Sequence, residues 1–228
     1  MSLFASLRSM IVSLLSEEVV EKAMSSQKMV KWVEKLSPDF EIEKLDIQNI
    51  DMFGPNVGFI KFNATVKCKG EPVPGIVFMR GGSVAILIIL SLGGEKFILC
   101  TKQARFPIGD SEFLEIPAGM MDEDGNFLGV AAKELEEETH IKVDKRELIH
   151  LGGAYPSPGG CDEFIEYFAL ELIVDQARFN EIQGAATGNL EEGEKITLQI
   201  IPYSQAHMLS DSKALCAILR YERYALSL

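Results

Sequence analysis

Residues 84–92 read VAILIILSL, and this run constrains the fold more than any other stretch. It is too short to cross a bilayer as a helix, which takes about 20 apolar residues. Gly93-Gly94 follows it, and then a second apolar run, KFILC, at Lys96–Cys100. Two aliphatic or β-branched runs around a glycine pair read as a β-hairpin at the centre of a sheet.

The rest of the chain supplies the cover such a sheet requires. EIEKLDIQNID, GFIKFNATVKC and GIVFMRG alternate apolar and polar residues between Gly and Pro, so residues 40–80 read as β-rich. FIEYFALELIV (Phe164–Val174) and KITLQIIP (Lys195–Pro202) read as further strands. FLGVAAKELEEETHI carries Leu128, Ala131, Ala132 and Leu135 at helical spacing, and DSKALCAILRYERYAL is an amphipathic C-terminal helix capped by Asp211 or Ser212. Residues 2–36 read as two helices broken near Leu15–Glu18, with Ser16 as a cap and Pro38 as the stop. Strands of mixed order with one helix in the middle and one at the end indicate an α/β fold, an α/β/α sandwich with a mixed sheet. A smaller helical and β region, residues 1–80, precedes the main domain, residues 81–228.

Charge excludes some classes of function. The formal net charge is -12, which argues against a nucleic-acid partner, since phosphate backbones need clustered Lys and Arg. Cys68, Cys100, Cys161 and Cys216 form no CxxC pair, and His140, His150 and His207 are scattered, so no zinc site is expected. Four free thiols fit a reducing, cytoplasmic setting. The N-terminal MSLFASLRSMIVSLL has one Arg and no acid, which leaves organelle targeting by residues 1–15 open beside a plain amphipathic helix. No membrane partner is expected.

Residues 134–138 read ELEEE, four carboxylates in five positions. On a helix Glu134, Glu137 and Glu138 share a face, while Glu136 is offset. Like charges at that spacing cost up to about 0.5 kcal/mol per pair, a cost that a hard divalent cation reverses. Asp122–Asn126 has the alternating oxygens of a calcium loop, but Phe127 and Lys133 stand where that loop needs Gly and Glu, so it reads as a turn.

Gly119–Ile141 resembles the Nudix box, G-x5-E-x7-R-E-U-x-E-E-x-G-U with U apolar. Gly119, Glu134, Leu135, Glu137, Glu138 and Ile141 match at the family's spacing. Gly125 stands where the family has Glu, Lys133 replaces its Arg and His140 its second Gly. Gly125 removes one carboxylate; Lys133 keeps a charge but loses the Arg fork; His140 falls where the helix is expected to end with positive φ. AYPSPGGCDE (Ala154–Glu163) resembles the segment downstream of the box in ADP-ribose and ADP-sugar pyrophosphatases. Much of residues 28–225 looks like the plant-type members of that group.

The resemblance implies a Nudix-type sandwich and Mg²⁺-dependent (or Mn²⁺-dependent) hydrolysis of ADP-ribose or ADP-glucose to AMP and a sugar phosphate. It implies metal ligands at Glu134, Glu137, Glu138 and the Ala118 carbonyl, and a general base among Glu191, Glu192 and Glu194. It implies substrate contacts at Arg105, Glu115, Asp162 and Glu163, with Arg105 as a phosphate clamp. Similar enzymes are homodimers whose N-terminal region helps form the nucleotide site, and Trp32 or Phe53 would serve there as interface or core. Two alternatives stay open: a UDP-glucose or broad nucleoside-diphosphate-sugar hydrolase, and a non-catalytic ADP-ribose sensor.

Overall fold

The computed structural model describes residues 7–121, 127–141, 143–188 and 195–227. The chain divides into two compact units: Met1–Gly82 with Tyr155–Glu163, and Ser83–Ala154 with Phe164–Leu228.

Among its described residues, the first unit carries a five-stranded sheet and helices packed on it. β1 (Ile11–Ser13) runs parallel to β2 (Phe40–Phe53), and β2 pairs antiparallel with β3 (Asn56–Cys68). β4 (Glu71–Val73) and β5 (Ile76–Met79) both pair antiparallel with β3. The helices are α1 (Glu17–Ser25) and α2 (Gln27–Lys35). Ala23, Met24, Met29 and Val33 pack on Leu45, Ile47, Ile60 and Phe62, with the Trp32 ring edge-on to Phe62. Trp32 thus packs against this core.

Two helices were expected over residues 2–36 with a break near Leu15–Glu18; α1 does begin there, at Glu17, but a strand precedes it and a further break follows at Ser26. Ile11–Ser13 is a strand, because Ile11 and Val12 suit a ladder and the Ser13 hydroxyl donates to the Ile47 carbonyl at 2.7 Å. Ser16 occupies the cap position of α1 without a side-chain capping bond. The break between α1 and α2 falls at Ser26, whose Oγ accepts the Met29 N–H at 3.4 Å.

The second unit is built on β6 (Ser83–Leu92), whose first eight residues are all buried. β7 (Glu95–Arg105) pairs antiparallel with it around Gly93-Gly94, where both glycines take positive φ of 59° and 88°. β8 (Asp110–Glu115) lies on β7, and β9 (Ala118–Met120) lies antiparallel on the first residues of β6. β10 (Ile149–Ala154) pairs with β11 (Ile165–Ile173), which runs parallel to β6. β12 (Ala186–Thr187) and β13 (Ile196–Pro202) complete an eight-stranded mixed sheet ordered β10-β11-β6-β7-β13-β12.

Alternation along β6 makes the layers. Val84, Ile86, Ile88 and Leu90 face Val130, Ala131 and Leu135 of α3 (Phe127–Thr139) and Ile182 of α4 (Gln176–Ile182). Ala85, Leu87 and Ile89 face Ala214, Ala217, Ile218 and Tyr221 of α5 (Ser212–Ala225). A strand buried on both faces must be apolar at every position, which is why 84–92 shows no alternation. Leu128, expected on the apolar face of α3, is 41% exposed, and Val130 is buried in its place.

Candidate functional site

β9 and α3 meet at the acidic motif. A Cβ built on Gly119 would lie 1.9 Å from Cδ of Glu134 and 2.1 Å from its Oε1. The Glu134 carboxyl therefore packs onto the bare Cα of Gly119, and a glycine is what lets helix and strand approach this closely. One turn later, Glu138 Oε2 accepts the Ala118 N–H at 3.2 Å. Glu138 is 4% exposed, although it is an acid. Spacing of i, i+4 puts both carboxylates on the strand side of the helix.

Glu137 goes elsewhere. It is exposed and pairs with Lys133 Nζ, one turn back, at 3.7 Å. Lys133, in the position of the family's Arg, thus holds one motif carboxylate rather than leaving it to the strand. His140 ends the helix with φ of 56°, as expected, and its N–H donates to the Glu136 carbonyl at 2.9 Å. The Thr187 hydroxyl on β12 donates to the Glu138 carbonyl at 2.6 Å, which ties that edge of the sheet to the helix end.

A second cluster joins the end of β7, the end of β8 and the start of α5. Glu115, with a 3% exposed side chain, accepts Arg105 Nε at 2.6 Å and Lys213 Nζ at 2.8 Å. Lys213 Nζ also reaches Asp211 Oδ1 at 2.9 Å. Asp211 caps α5 by accepting the Lys213 N–H at 3.0 Å, and its other oxygen accepts the Ile116 N–H at 3.1 Å. Burial works against a charged Lys213, but Asp211 and Glu115 outweigh it and hold its pKa above the ordinary lysine value. Arg105, expected to clamp phosphate, keeps a 41% exposed side chain while bound to Glu115.

Asp162 and Glu163 belong to the first unit. Asp162 accepts the N–H groups of Arg80 and Gly81 at 2.7 and 3.2 Å, and Glu163 lies 3.5 Å from Arg80 Nε. In the structure both hold the chain at residues 80–81. Gly125, Glu191, Glu192 and Glu194 lie outside the described residues.

The donors at β9 and α3 are all hard oxygens: two carboxylates and the peptide of Ala118. That chemistry suits Mg²⁺ or Mn²⁺. Among the described residues no three Asp, Glu, His or Cys side chains already converge to hold an ion. Completing a three-carboxylate set takes a rotation of Glu137 away from Lys133. Among the described residues, no helix is long and apolar enough to cross a membrane.

Comparison with known proteins places the chain in a family. The chain belongs to the NUDIX domain family, whose domain matches residues 79–215, more than half of its length. It is 41% identical over 194 residues to "Nudix hydrolase 14, chloroplastic" of Arabidopsis thaliana, a match covering 79% of this chain and 62% of that protein. It is 38% identical over 94 residues to "ADP-ribose pyrophosphatase" of Haemophilus influenzae, covering 41% of this chain and 40% of that one. "GDP-mannose pyrophosphatase" of Yersinia enterocolitica is 31% identical over 156 residues, 58% of this chain and 78% of the relative. The chain thus spans less than two thirds of the first two relatives. A crystal structure titled "ADP compounds hydrolase" superposes with a TM-score of 0.58 at 12% identity, over 85% of this chain and 97% of that one, which shows a common fold.

Sequence reasoning missed Lys213 and Thr187. A signal for Lys213 existed: a lysine in the first turn of a helix opposes the helix dipole and asks for a partner. Thr187 left none, because its acceptor lies 49 residues away on another element.

Proposed function

We propose that this chain hydrolyses the diphosphate bond of ADP-sugars, ADP-ribose and ADP-glucose first, to AMP and a sugar phosphate. The observation that carries the reading is the delivery of Glu134 and the buried Glu138 to strand β9 across a bare glycine. A bound hard cation would relieve the repulsion between carboxylates brought together in this way. The names of the relatives point to nucleotide-linked diphosphates.

Glu134, Glu138 and the Ala118 carbonyl would hold the divalent cation, with Glu137 recruited from Lys133. Mg²⁺ there would neutralise the diphosphate, lower the pKa of a bound water and stabilise the leaving oxygen. The chain's own residues do the remaining work. Arg105, tied to Glu115 through Nε, presents the rest of its guanidinium to a phosphoryl oxygen. One of Glu191, Glu192 or Glu194 would take the proton of the attacking water, and the bond from the attacked phosphorus to the bridging oxygen would break with the leaving phosphate departing as an anion. Thr187 sits just upstream of those glutamates and is fixed to the end of α3.

We also propose a homodimer formed through the first unit. Its strands leave Phe53, Ile76 and Phe78 at 50%, 61% and 40% exposure, more apolar surface than a sheet facing water usually carries. The GDP-mannose relative favours a second reading, a broader nucleoside-diphosphate-sugar hydrolase.

The test is nucleoside monophosphate release from ADP-ribose, ADP-glucose, UDP-glucose and GDP-mannose, with Mg²⁺ and with EDTA. Metal-dependent AMP from the ADP-sugars is expected. UMP or GMP at equal rates favours the broader enzyme. No release from any of them, with tight ADP-ribose binding, sinks the enzymatic reading and leaves a sensor.

A further inference from the structure

Lys213 occupies a position that disfavours a cation twice over. Its side chain is 18% exposed, and it sits in the first turn of α5, where the helix dipole repels positive charge. Asp211 shares it, taking Lys213 Nζ at 2.9 Å while its two oxygens also accept the N–H groups of Lys213 and Ile116. Glu115 needs it as well. That carboxylate is 3% exposed and is shared between Arg105 Nε on one oxygen and Lys213 Nζ on the other.

The charge balance gives the arrangement a purpose beyond packing. Arg105, Glu115, Lys213 and Asp211 together carry two positive and two negative charges. Without Lys213, Glu115 has Arg105 as its sole counter-charge, and the field that Arg105 offers to an incoming anion is cancelled. With Lys213 in place, Glu115 orients the guanidinium through Nε, and the terminal nitrogens, which take no other partner among the described residues, remain for phosphate. Asp211 fixes the same segment from behind through Ile116, three residues before Gly119.

We propose that Lys213 is a positioning residue for the diphosphate site, neutralising Glu115 so that Arg105 keeps its charge and its fork for the phosphoryl oxygens of the substrate. This rests on the reading that a diphosphate is bound, and it adds a residue from the C-terminal helix to that site.

The experiment compares wild type, Lys213→Gln and the double variant Glu115→Gln/Lys213→Gln. The readouts are kcat and KM for ADP-ribose with Mg²⁺, and calorimetric binding of ADP. Leaving one unit charge uncompensated beside the anion site should raise KM and weaken ADP binding about tenfold in Lys213→Gln, with kcat changed less than about threefold. The double variant removes the stranded charge while its glutamine oxygen still accepts from Arg105, so its KM and ADP affinity should lie closer to wild type than those of Lys213→Gln. A purely structural role gives the opposite pattern, a lower kcat or active fraction at unchanged KM, and a double variant no better than the single. Either of those results overturns the proposal. If Lys213→Gln does not fold, the double variant is compared with Glu115→Gln: a KM within about threefold of that variant supports the proposal, and a further rise of about tenfold overturns it. Wild-type protein that binds ADP without turnover overturns the hydrolase reading, and the ADP affinities of the variants then judge Lys213. Wild-type protein that does neither overturns both.

Discussion

Replacing Gly119 by alanine separates the site from the fold, because the side chain it collides with, Glu134, is one proposed to hold the metal. The new Cβ would stand 1.9 Å from Glu134 Cδ, 2.1 Å from Oε1 and 2.4 Å from Cγ. Ordinary carbon contacts lie near 3.5–4 Å, so the carboxyl must retreat by roughly 1.5–2 Å. No backbone atom is among the three nearest atoms, and Gly119 is not among the glycines with positive φ, so alanine meets no backbone strain. Moving a flexible, half-buried glutamate off its rotamer costs about 0.5–1.5 kcal/mol. Losing a glycine from the unfolded chain returns about 0.4–1 kcal/mol. The two nearly cancel, and urea unfolding should show a change within about 1 kcal/mol.

Activity should not be spared. A displacement of about 1 Å in a positioned group can cost about 10²-fold, and this one is larger, so kcat for AMP release should fall by about 100-fold or more. Gly75→Ala is the control, since its Cβ would lie 1.9 Å from the backbone oxygen of Ala64, which cannot swing away. That variant should lose about 1–3 kcal/mol or more through the first unit's sheet. Gly119→Ala with wild-type turnover would show that Glu134 is not placed by contact with β9. Gly119→Ala that loses more than about 3 kcal/mol would show that the glycine serves the core instead.

Glu138→Gln keeps an oxygen to accept the Ala118 N–H, so folding should change by less than about 1 kcal/mol while Mg²⁺-dependent turnover falls by about 100-fold; unchanged turnover disproves the ligand assignment. Alkaline stability should be limited by Cys100, whose thiol burial pushes from 9.0 up to about 12. A raised folded pKa means that its contribution is complete below the unfolded value and is lost as pH climbs through the folded one. Unfolding free energy should therefore fall by roughly 1.4 kcal/mol per pH unit from about pH 9, before the raised tyrosines Tyr167, Tyr203 and Tyr221 add their own loss above about pH 10, and Cys100→Val should flatten that first stretch in urea titrations at stepped pH; an equal slope in the variant over that stretch refutes the assignment. Light scattering should give twice the chain mass for wild type, and Phe53→Lys/Phe78→Lys should shift it towards the monomer; a wild-type monomer at micromolar concentration ends the dimer proposal.

What the sequence showed and hid follows from the range of the forces involved. The β6–β7 hairpin was legible because a strand covered on both faces writes an unbroken apolar run, and Gly93-Gly94 marks its turn. The cap of α5 was legible because an N-cap bond is local, with Asp211 accepting from two residues on. The positive φ of His140 followed from the spacing of one motif. Ile11–Ser13 was not legible as a strand, because its partner residues lie about thirty positions ahead, at Leu45–Ile47. Nor was α4, a seven-residue helix held largely by its Asp175 cap and by Ile182.

The carboxylates show the limit most clearly. Glu134, Glu137 and Glu138 lie within a broad arc of one helix, but about 100° separates adjacent residues, so a strand can meet Glu138 squarely and leave Glu137 at the margin. β9 takes the side of Glu134 and Glu138, and Lys133 takes Glu137. Which side the strand takes depends on the register of β9 on β6, with Ala118 opposite Ala85, and that pairing is not written within the motif. The Glu115–Lys213 pair, 98 residues apart, obeys the same logic. Local spacing names the groups available for chemistry; the sheet register and the start of the last helix decide which of them meet.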